Sequence, residues 1–433
     1  MINELHTFVH QYQVVIANTL FLLVYGFIIW ERIPKVVVTL LGSGLAILLG
    51  ILTQTEAFGY IDFNVIFLLV GMMIMVNIIK QTGAFEYMAY WTLLKTKGNA
   101  VWLMLAFAAI TAVASAFLDN VTTVIFMASI TCSLAARLKI DPKPYLITEI
   151  IASNIGGTST LIGDPPNIMI GSAAGLSFTD FLFSLTHIVV LVFVVACALL
   201  VFIFRKDLKF DEAAQAQIQT IELEGLIKNK KLLIQSLVVL SIVLLGFMTH
   251  HLTHFEVSTI ALTGGAVLML FEEPQEIWND VEWDTIFFFI GLFILVGAVE
   301  KVGTLDLISD EVFELTKGNY QLTTFMMLWV SGIASAIIDN IPFTATTIPV
   351  IQNLANHYDS VRELWWALSL GACLGGNGSL IGATANVLVA DMSSRLGYPI
   401  RFVSFLKIGG VITLASLLVS TGLLYLEHFL LHM

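Results

Sequence analysis

Ser115-Ala116-Phe117-Leu118-Asp119-Asn120-Val121-Thr122-Thr123 places an aspartate, an asparagine and two threonines in the middle of a long apolar run. Later in the chain, Ser335-Ala336-Ile337-Ile338-Asp339-Asn340-Ile341-Pro342-Phe343-Thr344 repeats the device. A carboxylate at bilayer depth is expensive and is read first as functional. The surroundings establish that depth. The chain has 433 residues, 58% hydrophobic and 12% charged, with a mean hydropathy of +0.89. That is about half the charge of an ordinary soluble domain. The apolar residues come in runs of the ~20 needed to cross a hydrocarbon core. The fold class is therefore all-α and polytopic in a membrane.

Hydropathy places spans at 14–30, 36–52, 65–79, 181–204, 232–248, 257–271, 285–299 and 403–429, with interfacial segments at 83–96 and 305–316. Four further segments are apolar but interrupted. Those at 100–136 and 320–355 carry the two Asp-Asn pairs and read as re-entrant hairpins. Those at 145–170 and 364–389 are broken by glycines and read as discontinuous helices. Residues 205–231 form the one long polar connector. The first 14–30 run has no basic flank or cleavage site before it and reads as a retained helix rather than a signal peptide. Cys132, Cys197 and Cys373 lie in apolar segments without a CxxC pair, which fits core thiols and neither a disulfide framework nor a metal centre.

The halves 1–204 and 232–433 repeat each other. At an offset of 220 residues, Gly71 matches Gly291, Gly83 matches Gly303, and Thr96-Lys97-Gly98-Asn99 matches Thr316-Lys317-Gly318-Asn319. Asp119-Asn120 matches Asp339-Asn340. One residue of slippage then aligns Gly156-Gly157 with Gly375-Gly376 and Asn167 with Asn386. An odd number of spans separates equivalent positions, so the halves are expected to be inverted. Of the 20 Lys and Arg, all but Lys301, Lys317 and Arg362 then fall on one side. That bias makes the crowded side cytoplasmic and places both termini outside a cytoplasmic (inner) membrane.

Inverted repeats with broken helices are the architecture of secondary transporters, with sites near the midplane. Unwound backbone at that depth is tolerated where it lines a polar cavity or is buried in protein. Gly156-Gly157-Thr158-Ser159-Thr160 and Gly375-Gly376-Asn377-Gly378-Ser379 supply such backbone, with hydroxyl and amide groups that can replace a hydration shell. Asp119 and Asp339 suit helix capping, but Ser or Asn would cap without a charge, so proton or cation coupling is the stronger reading. Asp164, beside Pro165-Pro166, has Ala383 as its counterpart and either caps the second half-helix or carries a proton. No Lys, Arg or His lies within these segments, which favours a cation, a neutral hydroxide or an anion held by amides over a multiply charged anion.

At these residues the chain resembles the ion transporter superfamily that includes the ArsB arsenite permeases, the NhaD sodium–proton antiporters, the melanosomal P protein and the dicarboxylate transporters. Phe117 to Thr123, and Asn154-Ile155-Gly156-Gly157 through Gly163-Asp164-Pro165-Pro166-Asn167, look most like the P-protein and ArsB/NhaD branch. In the dicarboxylate branch the hairpin tips carry Ser-Asn-Thr, where this chain has Asp119 and Asp339. The resemblance implies ten spans and two re-entrant hairpins, an elevator-type motion and a homodimer. It also implies two ion and substrate sites. The first would use Ser115, Asp119, Asn120 and the loop Gly156, Gly157, Thr158, Ser159 and Thr160. The second would use Ser335, Asp339, Asn340 and the loop Gly375, Gly376, Asn377, Gly378 and Ser379. Thr122, Thr344, Asp164, Asn167 and Asn386 complete the candidate set.

The leading expectation is proton-coupled efflux of arsenite or antimonite, with Asp119, Asp339 or Asp164 as the proton site. A sodium (lithium)–proton antiporter is the alternative, followed by a transporter of another small anion. No HExxH or nucleophile elbow is present. The chain reads as a non-enzyme without cofactor, metal centre or nucleic-acid partner, whose partners are a small inorganic solute and the lipid bilayer.

Overall fold

Several apolar runs become helices behind a polar cap, as at Asp62, Asn99, Asp119, Ser177 and Asn319, and the helices ending at Leu138, Ala174 and Thr253 close on the left-handed residues Lys139, Gly175 and His254. The computed structural model describes residues 11–30, 32–209, 218, 223–272 and 274–430. The expectations for the extreme N-terminus, for Glu31 and Glu273, and for most of the polar connector fall outside the described residues. In chain order the helices are α1 (Gln13–Trp30), α2 (Lys35–Leu48), α3 (Gln54–Gly59), α4 (Phe63–Gln81), α5 (Ala84–Lys95), α6 (Ala100–Phe117), α7 (Asn120–Leu138), α8 (Lys143–Thr158), α9 (Pro165–Ala174) and α10 (Phe178–Phe204). After the connector come α11 (Lys230–Thr253), α12 (Val257–Leu268), α13 (Pro274–Asn279), α14 (Trp283–Lys301), α15 (Thr304–Leu315), α16 (Tyr320–Ser335), α17 (Asn340–Leu354), α18 (Arg362–Gly375), α19 (Thr384–Arg395) and α20 (Phe402–Leu424).

Among the described residues, eight helices are long and apolar enough to cross a membrane: α1, α4, α6, α7, α10, α11, α14 and the last helix. The protein is an all-helical polytopic membrane protein. Two expected spans are shorter than read from hydropathy. α2 has 14 residues, which at 1.5 Å per residue reaches about 21 Å, and α12 has 12 residues before a 3₁₀ turn. α2 stops where Gly50 turns left-handed. Each short helix lies against a long one at a glycine. A β-carbon on Gly291 of α14 would meet the Thr39 backbone of α2 at 2.8 Å, and one on Gly71 of α4 would meet Ala261 of α12 at 2.5 Å.

These crossings define one set of packed helices, a frame of α1, α2, α4, α11, α12 and α14. A second set contains the two hairpins, α6/α7 and α16/α17, with the broken helices α8–α9 and α18–α19 and the flanking α10 and α20. α6 packs on α8, and α16 on α18, through small residues: Ala108, Ala112 and Ala152 form one cluster. Such contacts let backbones approach closely inside a membrane. The half-helices cross over between the hairpins, with α9 against α17 and α19 against α7. The linking helices α5 and α15 join frame to hairpins, each opened by a left-handed glycine, Gly83 (φ 80°) and Gly303 (φ 77°). Beyond each, the same turn recurs: Lys97 and Lys317 are left-handed (φ 49° and 52°), and Asn99 and Asn319 cap the next helix with their side chains.

Candidate functional site

Each hairpin turns on its aspartate. Asp119 is the N-cap of α7, where its Oδ2 accepts the Thr122 amide at 2.8 Å. Asp339 is the N-cap of α17, where its Oδ1 accepts the Ile341 amide at 3.1 Å. Both are buried, 6% and 3% exposed. A helix N-terminus presents donor groups and a partial positive charge, which suits a carboxylate. The tips are pinned to the broken helices by hydroxyl groups. Ser115 Oγ donates to Ser153 O at 2.8 Å, and Thr160 Oγ1 to Ala116 O. Ser335 Oγ donates to Ala372 O at 2.6 Å, and Ser379 Oγ to Ala336 O at 2.5 Å.

The unwound turns are sewn by two asparagines. Asn167 Nδ2 donates to the carbonyls of Gly157, Thr158 and Thr160 at 3.3, 3.1 and 2.9 Å. Asn386 Nδ2 does the same for Gly376 and Ser379, both at 2.8 Å. In this structure both amide nitrogens therefore brace the loops. Thr158 and Ser159 donate back to the carbonyls of Asn154 and Gly156. Between the two turns, Asn154 Nδ2 donates to Asn377 Oδ1 at 3.0 Å and Asn386 Oδ1 at 3.1 Å, and Asn120 Nδ2 lies 3.5 Å from Asn154 Oδ1. The polar centre is thus continuous from one half of the chain to the other.

Asp164 heads α9 but makes no capping bond, so one of its two sequence-based readings falls. The chain is extended there, and the side chain turns instead to the opposite hairpin, with both oxygens 3.4 Å from Asn340 Nδ2. Thr344 Oγ1 and Asn120 Oδ1 are buried and have no hydrogen-bond partner among the described residues.

The expectation of a site without a fixed cation is overturned. Lys35, the first residue of α2, places its Nζ 2.6 Å from Asp339 Oδ2 and 3.3 Å from Thr384 Oγ1. Thr384 Oγ1 in turn donates to Asp339 Oδ2 at 2.8 Å. The lysine sits 304 positions from its partner in what the sequence presents as a polar turn, so no local pattern connects them. Glu282 was missed for a similar reason, as one acid among several in the loop before α14. Its Oε1 lies 3.4 Å from Thr122 Oγ1, and its Oε2 accepts Thr285 Oγ1 at 3.1 Å. Tyr25 of α1 adds a third contact from the frame, its hydroxyl donating to Pro342 O at 2.8 Å.

These groups meet at a pocket of about 210 Å³ between frame and hairpins, lined among others by Lys35, Asp119, Pro165, Glu282, Asp284 and Thr384. Lys35 is engaged with Asp339, and among the described residues no Lys, Arg or His forms a salt bridge with Asp119 or Glu282, although Lys80 acts on Glu282 electrostatically from further away. The pocket thus holds an excess of carboxylates. Of the residues expected to form two sites, Asp119 reaches this pocket and Asp339 borders it through Lys35 and Thr384. Ser115, Ser335, Asn167 and Asn386 hold the tips and loops in place. A separate cavity of about 470 Å³ is lined by Asn64, His250, His251, His254 and Glu256. Among the described residues no group of His, Cys, Asp and Glu side chains is arranged to hold a metal ion.

Comparison with known proteins adds a family. The profile of the citrate transporter family, CitMHS, matches residues 25–371. An uncharacterized transporter of Mycobacterium tuberculosis is 39% identical over 426 residues, covering 96% of this chain and 99% of the relative. A 46 kDa membrane protein of Mycobacterium leprae is 39% identical with the same coverage. The human P protein is 30% identical over 513 residues, covering 97% of this chain and 61% of its own length. The chain is therefore a membrane transporter that belongs to the citrate transporter family.

Proposed function

We propose that this transporter is secondary active and exchanges protons for a small monovalent cation, with Asp119 and Glu282 as the carboxylates that bind either ion. The observation that carries the reading is their position in one pocket, with no basic side chain among the described residues in a salt bridge to either and only Lys80 acting on Glu282 from further away. Two carboxylates close together favour a bound cation or a shared proton, and the two ions then compete for one place. The same excess of acids argues against a tricarboxylate, which would need fixed cations beyond a lysine already engaged by Asp339. Glu282 belongs to the frame and Asp119 to the hairpin set, so the pocket lies where an elevator motion would part the two. By the Lys/Arg asymmetry this end of the molecule faces the cytoplasm.

Efflux of arsenite or antimonite is the second reading. It is favoured by the buried, unpartnered oxygens of Thr344 and Asn120, which suit a neutral trihydroxide. Purified protein in liposomes with an internal pH dye separates the two. Under an imposed proton gradient, sodium or lithium is expected to trigger proton movement. A response to arsenite or antimonite alone would replace cation exchange by metalloid efflux, and a response to citrate alone would sink both.

A further inference from the structure

We propose that the Lys35 ammonium is a tethered cation filling the second of two like ion sites, which leaves the Asp119 site as the one open to a soluble cation. The proposal rests on the exchange reading above and gives it a number of sites.

The two hairpin tips are built alike, each with a serine bonded to a broken helix, a capping aspartate and an asparagine. They differ in what stands opposite. Lys35 Nζ sits 2.6 Å from Asp339 Oδ2 and 3.3 Å from Thr384 Oγ1. A carboxylate and a hydroxyl oxygen around a single positive charge are what a bound alkali ion would also gather. Since Gly291 meets Thr39 where its mate Gly71 meets Ala261, α2 and α12 correspond at an offset of 222, and the residues in these places for Asp119 are Val257 and Pro165. Neither carries a charge, and neither side chain offers an oxygen. Asp119 instead faces Glu282 across Thr122. One site therefore balances one carboxylate with one ammonium, while the other sets two carboxylates together.

Tethering decides which cation wins. An ammonium carried on α2 does not have to be recruited from solution, so its effective concentration exceeds that of a dilute free ion. The short charge-assisted bond adds to that advantage. Lys35 comes from the frame and Asp339 from the hairpin set, so the tethered cation also spans the two bodies. A pair serving only as a brace would hold them together in the same way, and the test must tell the two apart.

Thermal unfolding of purified protein in detergent does so without any transport assay. Lys35→Met is expected to unfold at a lower temperature in choline chloride and to recover by several degrees when sodium or lithium replaces choline, since a ligand that binds only the folded state stabilises it. The open Asp119 site lets the ion stabilise every variant, so the recovery of Lys35→Met should exceed the shift of wild type and fall back to that shift in Lys35→Met/Asp339→Asn. Absence of an ion-specific recovery, or an equal recovery in the double variant, would overturn the proposal. Cation-driven exchange in liposomes gives the second readout, usable even where Lys35→Met does not fold. Wild type and Lys35→Arg are expected to show a Hill coefficient no greater than one, and Lys35→Met a coefficient between one and two, because the coefficient is bounded by the number of sites. A wild-type value near two would mean that Asp339 already takes a soluble ion. A wild type that exchanges no cation sinks the exchange reading itself, while the unfolding experiment still reports on the tethered cation.

Discussion

Asn caps a helix about as well as Asp, so Asp119→Asn removes a charge and keeps a cap. It is expected to fold, with a melting temperature within about 2 °C of wild type, and to lose ion-driven proton movement in liposomes. Full activity in that variant would remove Asp119 from the mechanism. The same change at Asp339 strands the Lys35 ammonium. Because about a fifth of the lysine side chain is exposed (22%), the loss should fall below that of a fully buried pair, about 1–3 kcal/mol. Asp339→Asn should therefore melt clearly below Asp119→Asn. Equal melting temperatures would mean that the ion pair contributes nothing to the fold. Sequence reading reached both aspartates because a carboxylate inside an apolar run is visible one residue at a time. It missed Lys35 and Glu282 because each stands at a helix end, where a polar side chain is unremarked, and Tyr25 because a tyrosine inside an apolar span passes for core; each has a partner far along the chain. Contact across so many positions leaves no periodic trace.

Among the elements, α6 and α8 approach each other closely, and so do α16 and α18. A β-carbon at Gly156 would run into the Ala112 backbone, and one at Gly375 would lie 2.5 Å from the Gly332 carbonyl oxygen. In both places the obstacle is backbone, which cannot rotate aside. Gly156→Ala or Gly375→Ala is expected to cost about 1–3 kcal/mol by overpacking and to broaden the size-exclusion profile. A monodisperse variant with unchanged melting would show that the helices part freely. The glycines were legible as breaks, because they interrupt apolar runs at matching places. Their role as contact points was not, since a glycine that unwinds a helix and one that admits a neighbour look the same in sequence. The shortness of α2 and α12 was likewise hidden, because hydropathy continues past the residue where the helix stops.

At the scale of the molecule, frame and hairpin set meet at the acidic pocket, where Val36 of α2 and Ile341 of α17 share the wall. Cysteines at these two positions, in a background lacking Cys132, Cys197 and Cys373, should be bridged by a short bis-maleimide. Bridging is expected to stop transport, while either single cysteine treated alike remains active. Transport that survives complete bridging would exclude relative motion of the two sets at this point. Within the frame, Lys301 of α14 and the Thr53 amide and hydroxyl hold the Glu56 carboxyl down to about 2. A carboxyl lowered in the folded state stabilises it above its unfolded value and loses that contribution as pH falls toward 2. Glu56→Gln should thus lower the melting temperature slightly at pH 7 and leave it unchanged near pH 2. An effect of equal size at both values would contradict the ion pair.

Asn154 spends its amide on Asn377 and Asn386, the latter 232 residues further on. During synthesis that amide, and the face of α7 that receives α19, must wait for chain not yet made. At ~5–20 residues per second the delay is about 10–50 s. The first half therefore passes through its early life in the membrane with an unfinished polar centre, open to lipid, water and any insertion factor that shields it. Biogenesis, as much as transport, depends on one asparagine finding partners made long after it.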